Sequence, residues 1–208
     1  MINDITYVNL PSPFLEDALW IYPLGVLGLY TISKKEHKNV QFLDLNRLGH
    51  NGGITLDILN TIRNINTPVI AISVTTPQAR FLPLFLSLNH KFLVAGGPHA
   101  TYCPSEVLSM GFNMVVMGEG EYFAQNWYKL KGAIIKGNSE ADLNLLPFPD
   151  RSAIIGYKGP VPIMAGRGCP YSCFVSDTKI ITAIGKNKRI SRVKVGDKLL
   201  AYHKGELL

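Results

Sequence analysis

The sequence predicts an α/β fold with an open, doubly wound parallel sheet of about five strands. Short runs of β-branched and other apolar residues alternate with segments of helical spacing over residues 1–136. The strand segments are continuously apolar rather than alternating, which is typical of parallel strands that helices cover on both faces. The first strand segment ends at the breaker Pro11-Ser12-Pro13. Together these features predict successive β/α units.

Each unit can be placed along the chain by its pattern. Apolar residues at helical spacing, such as Leu24, Leu27 and Ile32, mark the first helix. The predicted strands cover residues 5–10, 40–45, 69–74, 92–95 and 114–117. The predicted helices cover residues 24–35, 54–64, 78–88, 105–110 and 121–130.

The regular alternation stops after residue 136. Residues 137–160 contain a cluster of breakers that is typical of a linker: Pro147, Pro149, Gly156, Gly159 and Pro160. Residues 161–165 then predict one more buried strand, and from residue 173 short β runs with turns at Gly185-Lys186-Asn187 and Gly196-Asp197 indicate a different module. The predicted divisions are therefore 1–136, 137–160, 161–172 and 173–208.

The net charge of +6 is unevenly distributed along the chain. Residues 1–172 carry 13 Lys and Arg against 12 Asp and Glu, whereas residues 173–208 carry 8 against 3. The basic residues of the tail flank turns without an aromatic series for base stacking, so nucleic acid is an unlikely partner. The three cysteines do not suit a disulfide framework, and residues 18–33 are too short and too interrupted by Pro23 to span a bilayer. We therefore expect a cytoplasmic protein with no membrane partner.

Polar and Gly-rich loops follow the predicted strands. In an open α/β sheet, ligands bind beyond the carboxyl ends of the strands. The candidate binding residues in these loops are Pro11, Ser12, Asp44, Asn46, Gly49, Thr75, Thr76, Gly96, Gly97, Pro98, His99, Gly118, Glu119 and Gly120. Taken singly, each has a structural explanation: glycines permit tight turns, His99 can cap or hydrogen-bond, and Glu119 can interact with a helix dipole.

The order of three motifs makes the signal more specific. Three segments resemble successive signatures of B12-binding radical SAM proteins: Gly96-Gly97-Pro98-His99-Ala100-Thr101, residues 115–121 (VVMGEGE) and residues 146–151 (LPFPDR). The resemblance covers residues 1–172 and implies a Rossmann-like (flavodoxin-like) domain that holds cobalamin at its strand ends. It also implies a following barrel that binds S-adenosylmethionine.

One loop departs from the pattern of many cobalamin domains. They carry Asp-x-His-x-x-Gly, in which the histidine ligates cobalt, whereas this chain has Asp44-x-Asn46-x-x-Gly49. An amide is a poor cobalt ligand compared with imidazole. Any cobalamin would therefore bind without a protein histidine from this loop.

A cysteine motif follows the domain. Radical SAM enzymes hold a [4Fe-4S] cluster and S-adenosylmethionine with a CxxxCxxC motif. Cys169, which follows Gly166-Arg167-Gly168, and Cys173 match the first two cysteines of this motif. The third position is Ser176, so we expect the chain as written to be catalytically incomplete. Taken alone, Cys169 and Cys173 could equally be half of a zinc site or two buried structural thiols.

The segment that begins at Cys173 resembles the N-terminal block of an intein. Cys173-Phe-Val-Ser-Asp-Thr is followed by a β run and the turn Gly196-Asp197. The resemblance implies that Cys173 is the splicing nucleophile, which attacks the carbonyl of Ser172. A cysteine of a C-extein would then refill the ligand position of Cys173 and complete the metal site with Cys169.

The sequence permits two alternatives. The tail contains no Thr-x-x-His and no terminal His-Asn, so the chain is either half of a split intein, with a C-terminal intein/extein polypeptide as its partner, or a truncated reading frame. The second function considered is a stand-alone B12- or nucleotide-binding module with a basic β-rich tail.

Overall fold

The computed structural model describes residues 4–13, 15, 17–37, 39–49, 53–137, 142–163, 167, 177–194, 196–200, 202–203 and 206–207. The chain folds into two compact units, Met1–Pro162 and Ile163–Leu208.

The first unit is built on a parallel sheet of six strands in the order β2-β1-β3-β4-β5-β6. The strands are β1 (Asp4–Asn9), β2 (Asn39–Asp44), β3 (Val69–Ser73), β4 (Phe92–Gly96), β5 (Met114–Met117) and β6 (Ile134–Lys136). The first five lie where the sequence predicts them. The sixth has only three residues, of which two are apolar, so its sequence is too short to predict a strand, and it is mostly exposed.

Helices connect these strands. They are α1 (Leu24–Glu36), α2 (Leu56–Arg63), a long 3-10 helix (Thr76–Leu88), α3 (Pro98–Tyr102), α4 (Pro104–Ser109) and α5 (Glu121–Asn126). The segment predicted as a helix at 78–88 is 3-10 rather than α, and Pro83 inside it has no amide to donate. The short helix predicted at 105–110 is preceded by a further helix, α3, because proline occupies the first position of each.

The sheet is buried on both faces. Ile70 and Ile72 of β3 join one apolar cluster, whereas Val69 and Ala71 of the same strand join a second cluster on the opposite face. Successive side chains of a strand point to opposite sides, so a continuously apolar strand requires a cover on each. The prediction that both faces of the sheet are covered is confirmed.

The segment predicted as a linker packs on this sheet domain. Ile154 is buried in the second cluster, and the Asp150 amide donates to the Thr31 hydroxyl at 2.8 Å. Lys34 and Asp150 form an exposed ion pair at 2.8 Å, which raises the pKa of Lys34 and lowers that of Asp150. The prolines and glycines of residues 142–160 thus favour irregular structure, and this segment nevertheless packs on the sheet domain.

The buried strand predicted at 161–165 is wrong for the residues described. Residues 161–163 have no regular structure, and the side chain of Ile163 is 88% exposed. An apolar run is buried as a strand only where neighbouring strands and a second layer cover it. No strand in the described part of the chain pairs with these three residues.

The second unit contains short antiparallel β structure. Strands β7 (Lys179–Ile181) and β8 (Asn187–Arg189) form a hairpin, and β9 (Tyr202–His203) pairs with β10 (Glu206–Leu207). The predicted turns are present, and Gly185 and Gly196 both adopt positive φ angles, of 75° and 96°. Asp197 accepts from the Lys188 ammonium at 2.5 Å and from the Lys194 amide at 2.6 Å, which lowers its pKa.

Candidate corrinoid site at the carboxyl edge of the sheet

The loops that contain the predicted binding residues meet at one edge of the sheet. All six strands are parallel, so their carboxyl ends lie together. The strand order reverses between β1 and β3, and the loops after these strands contain Pro11, Ser12, Thr75 and Thr76. Such a reversal is where open α/β sheets bind ligands.

The loops after β1 and β2 are joined by hydrogen bonds. The Ser12 amide donates to Oδ1 of Asn46 at 2.8 Å, and the Asn9 side-chain amide donates to Oδ1 of Asp44 at 2.7 Å. Asp44 also accepts from the amide of Asn46 at 3.2 Å, and both side chains are buried. Gly49 follows in this loop, and a Cβ atom on it would lie 3.2 Å from the backbone oxygen of Gly53. The predicted residues of this loop are therefore rigidly positioned.

Tyr157 covers the β2 end of the edge. Its hydroxyl donates to Oδ2 of Asp44 at 2.8 Å, and its ring lies 4.9 Å from the ring of Tyr22. Burial raises the pKa of Asp44, while the hydrogen bonds from Asn9, Tyr157 and the Asn46 backbone act in the opposite direction. Burial and the negative charge of Asp44 together raise the pKa of Tyr157, so the phenol remains a donor at neutral pH.

Gln78 joins the loops on either side of the strand-order reversal. Its side-chain oxygen accepts from the Thr75 amide at 3.0 Å and from the Thr75 hydroxyl at 2.8 Å. Its nitrogen donates to the carbonyl oxygens of Leu10 and Pro11 at 3.1 and 3.2 Å. Thr76 is exposed beside it. Gln78 is buried, so these bonds fix the loops after β1 and β3 relative to one another.

Thr101 performs the same task for the loops after β4 and β5. Its hydroxyl donates to the carbonyl oxygen of Gly97 at 2.9 Å and accepts from the amide of Gly118 at 3.0 Å. Gly97 has φ +92°, and a Cβ there would lie 3.0 Å from the carbonyl oxygen of Val74. Gly118 has φ +74° with no atom within 4 Å of the Cβ position. The first glycine is required by close packing and the second borders open space.

The other predicted residues of these loops have diverse environments. Gly96 ends β4 with a Cβ position 3.7 Å from the Val116 carbonyl oxygen, and Pro98 is exposed at the start of α3. Glu119 is half-buried, and Gly120 packs against the side chain of Leu29. His99 differs from the rest because its side chain is only 4% exposed, and its Nε2 lies 3.6 Å from Oε1 of Glu106 in α4.

The opposite edge of the sheet offers a contrast. A hollow of about 430 Å³ lies at the amino ends of β3, β4 and β5. Its lining is apolar or aromatic, including Phe92, Phe123 and Trp127, and contains no charged side chain. The hydrogen-bonding loops lie at the carboxyl edge, which is therefore the candidate site among the residues described.

The site elements match a known family. The B12 binding domain family matches residues 18–126, which include α1 and the loops after β2, β3, β4 and β5. The chain belongs to the B12-binding domain family. The predicted B12-binding domain and its parallel α/β fold are thereby confirmed, whereas the radical SAM and intein parts of the prediction stay predictions.

Two individual proteins illustrate the similarity. An uncharacterized methyltransferase of Synechocystis sp. is 30% identical over 106 residues, which are 48% of this chain and 19% of that protein. The cobalamin-dependent S-adenosylmethionine radical enzyme OxsB, solved with aqua-cobalamin and S-adenosylmethionine, superposes with a TM-score of 0.50 at 16% identity. That superposition covers 78% of this chain and 23% of OxsB, and it shows a shared fold. In both comparisons the chain matches less than a quarter of the other protein's length.

Several residues that build the carboxyl edge of the sheet have weak or no sequence signals. Thr75-Thr76-Pro77-Gln78 has the spacing of a helix capping box, which could have indicated the role of Gln78. Tyr157 lies in a Gly- and Pro-rich segment and has no local signal. Ser172 and the two motif cysteines, Cys169 and Cys173, lie outside the described residues. No helix in the described part of the chain is long and apolar enough to cross a membrane.

Proposed function

We propose that this B12-binding domain holds a corrinoid across the carboxyl ends of β1, β3, β4 and β5 as part of a larger radical SAM enzyme. The observation that carries the proposal is the fixed geometry of this edge. Gln78 and Thr101 each join two of the loops through their side chains. A large, rigid cofactor requires loops that are positioned before it binds, because ordering them on binding would cost affinity.

The residues present fit a corrinoid that has no protein ligand on cobalt from this edge. Asn46 replaces the family's histidine, is 3% exposed, and uses its side-chain oxygen to accept from Ser12. The ring of His99 is buried beside Glu106. When bound, the corrinoid would supply the organometallic chemistry of its cobalt. The loops fixed by Gln78 and Thr101 would hold the corrinoid in place.

A titration tests corrinoid binding directly. Aqua-cobalamin added to the full chain should give a saturable change in its visible absorption spectrum. Gly118→Asn should lower the affinity, because asparagine tolerates positive φ and its side chain would extend into the open space at this edge. No spectral change at high cobalamin concentration would reject the proposal.

Gly132 provides the matched control for this variant. It has φ +111°, no atom lies within 4 Å of its Cβ position, and it precedes β6, at the amino edge of the sheet. Gly132→Asn should therefore leave cobalamin affinity unchanged. Equal effects of the two variants would argue against the carboxyl edge as the site.

The missing protein ligand has its own test. Cobinamide lacks the nucleotide base of cobalamin, so any nitrogen on its cobalt must come from the protein or the buffer. Electron paramagnetic resonance of reduced cobinamide bound to the chain should show no splitting by a protein imidazole nitrogen. Such splitting in a buffer free of nitrogen bases would contradict the ligand-free arrangement.

We further propose that residues 173–208 are the N-terminal segment of an intein that interrupts a radical SAM motif. Support comes from the sequence around Cys173 and from the β hairpin and tight Gly196-Asp197 turn of the second unit. Trans-splicing would join Ser172 to a C-extein that begins Cys-x-x-Cys, and the restored CxxxCxxC motif would then bind a [4Fe-4S] cluster and S-adenosylmethionine.

The surrounding genome tests the splicing proposal. A reading frame that ends an intein with His-Asn and continues with Cys-x-x-Cys would support it. The absence of any such frame from a complete genome would overturn trans-splicing and favour a corrinoid-binding module with a basic β-rich tail. Neither result affects the corrinoid titration, so the two proposals can fail separately.

A further inference from the structure

A cluster of three potential metal ligands lies on the segment that follows β4. His99 is the second residue of α3, Cys103 separates α3 from α4, and Glu106 lies in the first turn of α4. The Cys103 amide donates to the carbonyl oxygen of His99 at 2.8 Å, and the Val107 amide donates to that of Cys103 at 3.3 Å. Cys103 itself has non-helical φ and ψ angles of −125° and 48°, so α3 and α4 are separate helices. The two bonds across the junction keep the end of α3 beside the start of α4, and the three side chains lie close to one another.

The ring of His99 is the second, independent observation. Its side chain is 4% exposed, and neither Nδ1 nor Nε2 has a hydrogen-bond partner. A buried polar group without a partner costs roughly 1–3 kcal/mol, so native proteins rarely retain one without a reason. The backbone of His99 is fixed by the bond from its amide to the Val74 carbonyl oxygen at 3.1 Å. The ring is therefore buried on a fixed backbone, and its Nε2, which makes no hydrogen bond, faces Oε1 of Glu106.

The distances suit a small cation. One ligand atom from each of His99, Cys103 and Glu106 can be chosen so that all three lie within 4.8 Å of one another. The Nε2 to Oε1 distance of His99 and Glu106 is 3.6 Å. In a tetrahedral zinc site with bonds of about 2.0–2.3 Å, ligand atoms lie about 3.3–3.8 Å apart. The His99–Glu106 pair already has this separation, and the Cys103 thiol lies within 4.8 Å of a ligand atom of each.

We propose that His99, Cys103 and Glu106 bind one divalent transition-metal ion of the zinc class. Imidazole, thiolate and carboxylate together are a donor set that zinc accepts, whereas calcium and magnesium prefer oxygen ligands alone. The buried ring forms the inner wall of the site. Cys103 is half-buried and the Glu106 side chain is 52% exposed, so solvent reaches the site from one side. Three protein ligands leave a fourth position for water.

Cobalt(II) added to the full chain provides the optical probe. Cys169 and Cys173 are changed to Ser together, so that Cys103 is the only thiol that remains. One equivalent of Co²⁺ should then produce a thiolate-to-metal charge-transfer band together with the visible bands of a tetrahedral ion. One equivalent of Zn²⁺ should remove both.

Two further variants assign the ligands. Cys103→Ser in the same background should abolish the charge-transfer band. Glu106→Gln should keep the band but weaken Co²⁺ binding by about tenfold or more, since loss of even an outer-shell partner costs roughly 10–100-fold in affinity. Glu106 is exposed, so this variant should fold normally, which a metal-free thermal unfolding curve would verify. A charge-transfer band that persists in Cys103→Ser, or no saturable band at stoichiometric Co²⁺, would overturn the proposal.

Discussion

Replacement of Gly97 by alanine should destabilise the sheet domain by about 2–4 kcal/mol, which combines two separate costs. The first is backbone strain: Gly97 has φ +92° and ψ −175°, a region that is nearly exclusive to glycine and costs other residues about 1–3 kcal/mol. The second is steric. The new Cβ would lie 3.0–3.1 Å from the amide nitrogen and carbonyl oxygen of Val74 and from Oγ of Ser73.

The steric cost follows from what those atoms do. The Val74 amide donates to the Gly96 carbonyl oxygen at 2.9 Å, and its carbonyl oxygen accepts from the His99 amide at 3.1 Å. Relief of the clash lengthens one or both bonds, each worth about 1 kcal/mol. Gly118→Ala is the matched control: φ is +74° and the Cβ meets no atom within 4 Å, so only strain of about 1–2 kcal/mol applies.

Urea unfolding followed by tryptophan fluorescence measures the difference. Trp127 is 6% exposed in the core and reports unfolding of the sheet domain, whereas Trp20 is 54% exposed and contributes a smaller change. Gly97→Ala should lower the transition midpoint clearly more than Gly118→Ala with an unchanged slope. Equal midpoints for the two variants, or a larger effect at Gly118, would refute the packing argument.

Three further variants probe the polar contacts of the same edge. Tyr157→Phe removes the hydrogen bond to buried Asp44, so it should lower the free energy of unfolding by about 1–3 kcal/mol and raise the pKa of Asp44 further. Nuclear magnetic resonance titration measures this pKa, and an unchanged value would contradict the contact. Folding raises the pKa of Asp44 above its unfolded value, so the stabilisation that comes from this shift is fully present below pH 3.8 and is lost as pH rises through the raised pKa. Asp44→Asn should therefore flatten that part of the curve of unfolding free energy against pH. An identical curve for both proteins would disprove the raised pKa of Asp44. Thr101→Val should speed hydrogen exchange at the Gly118 amide, whereas Thr101→Ser keeps the hydroxyl and should not; equal exchange in both variants would show that the hydroxyl is not the bridge.

The elements that the sequence predicts well are those whose signal is local. Strand β3 is apolar at its first four positions because both faces are covered, and similar apolar runs predict the other central strands. The edge strand β6 escapes prediction because only Ile135 of its three residues is partly buried. Residues 161–163 show the opposite error: their apolar pattern resembles a buried strand, but a pattern does not supply the neighbouring strands that burial needs.

Local patterns in the sequence predict the B12-binding domain, the run of parallel β/α units and the loops at their carboxyl ends, because periodicity and ordered motifs depend on neighbouring residues alone. The side chains that join those loops are set by long-range packing, which only the folded chain reveals. The bonds from Gln78 to Leu10 and from Tyr157 to Asp44 connect residues 68 and 113 positions apart, and no local pattern encodes such a pairing. His99 is a further example. Its motif indicates a binding loop, but the position of its buried ring near Cys103 and Glu106 results from packing in the folded chain.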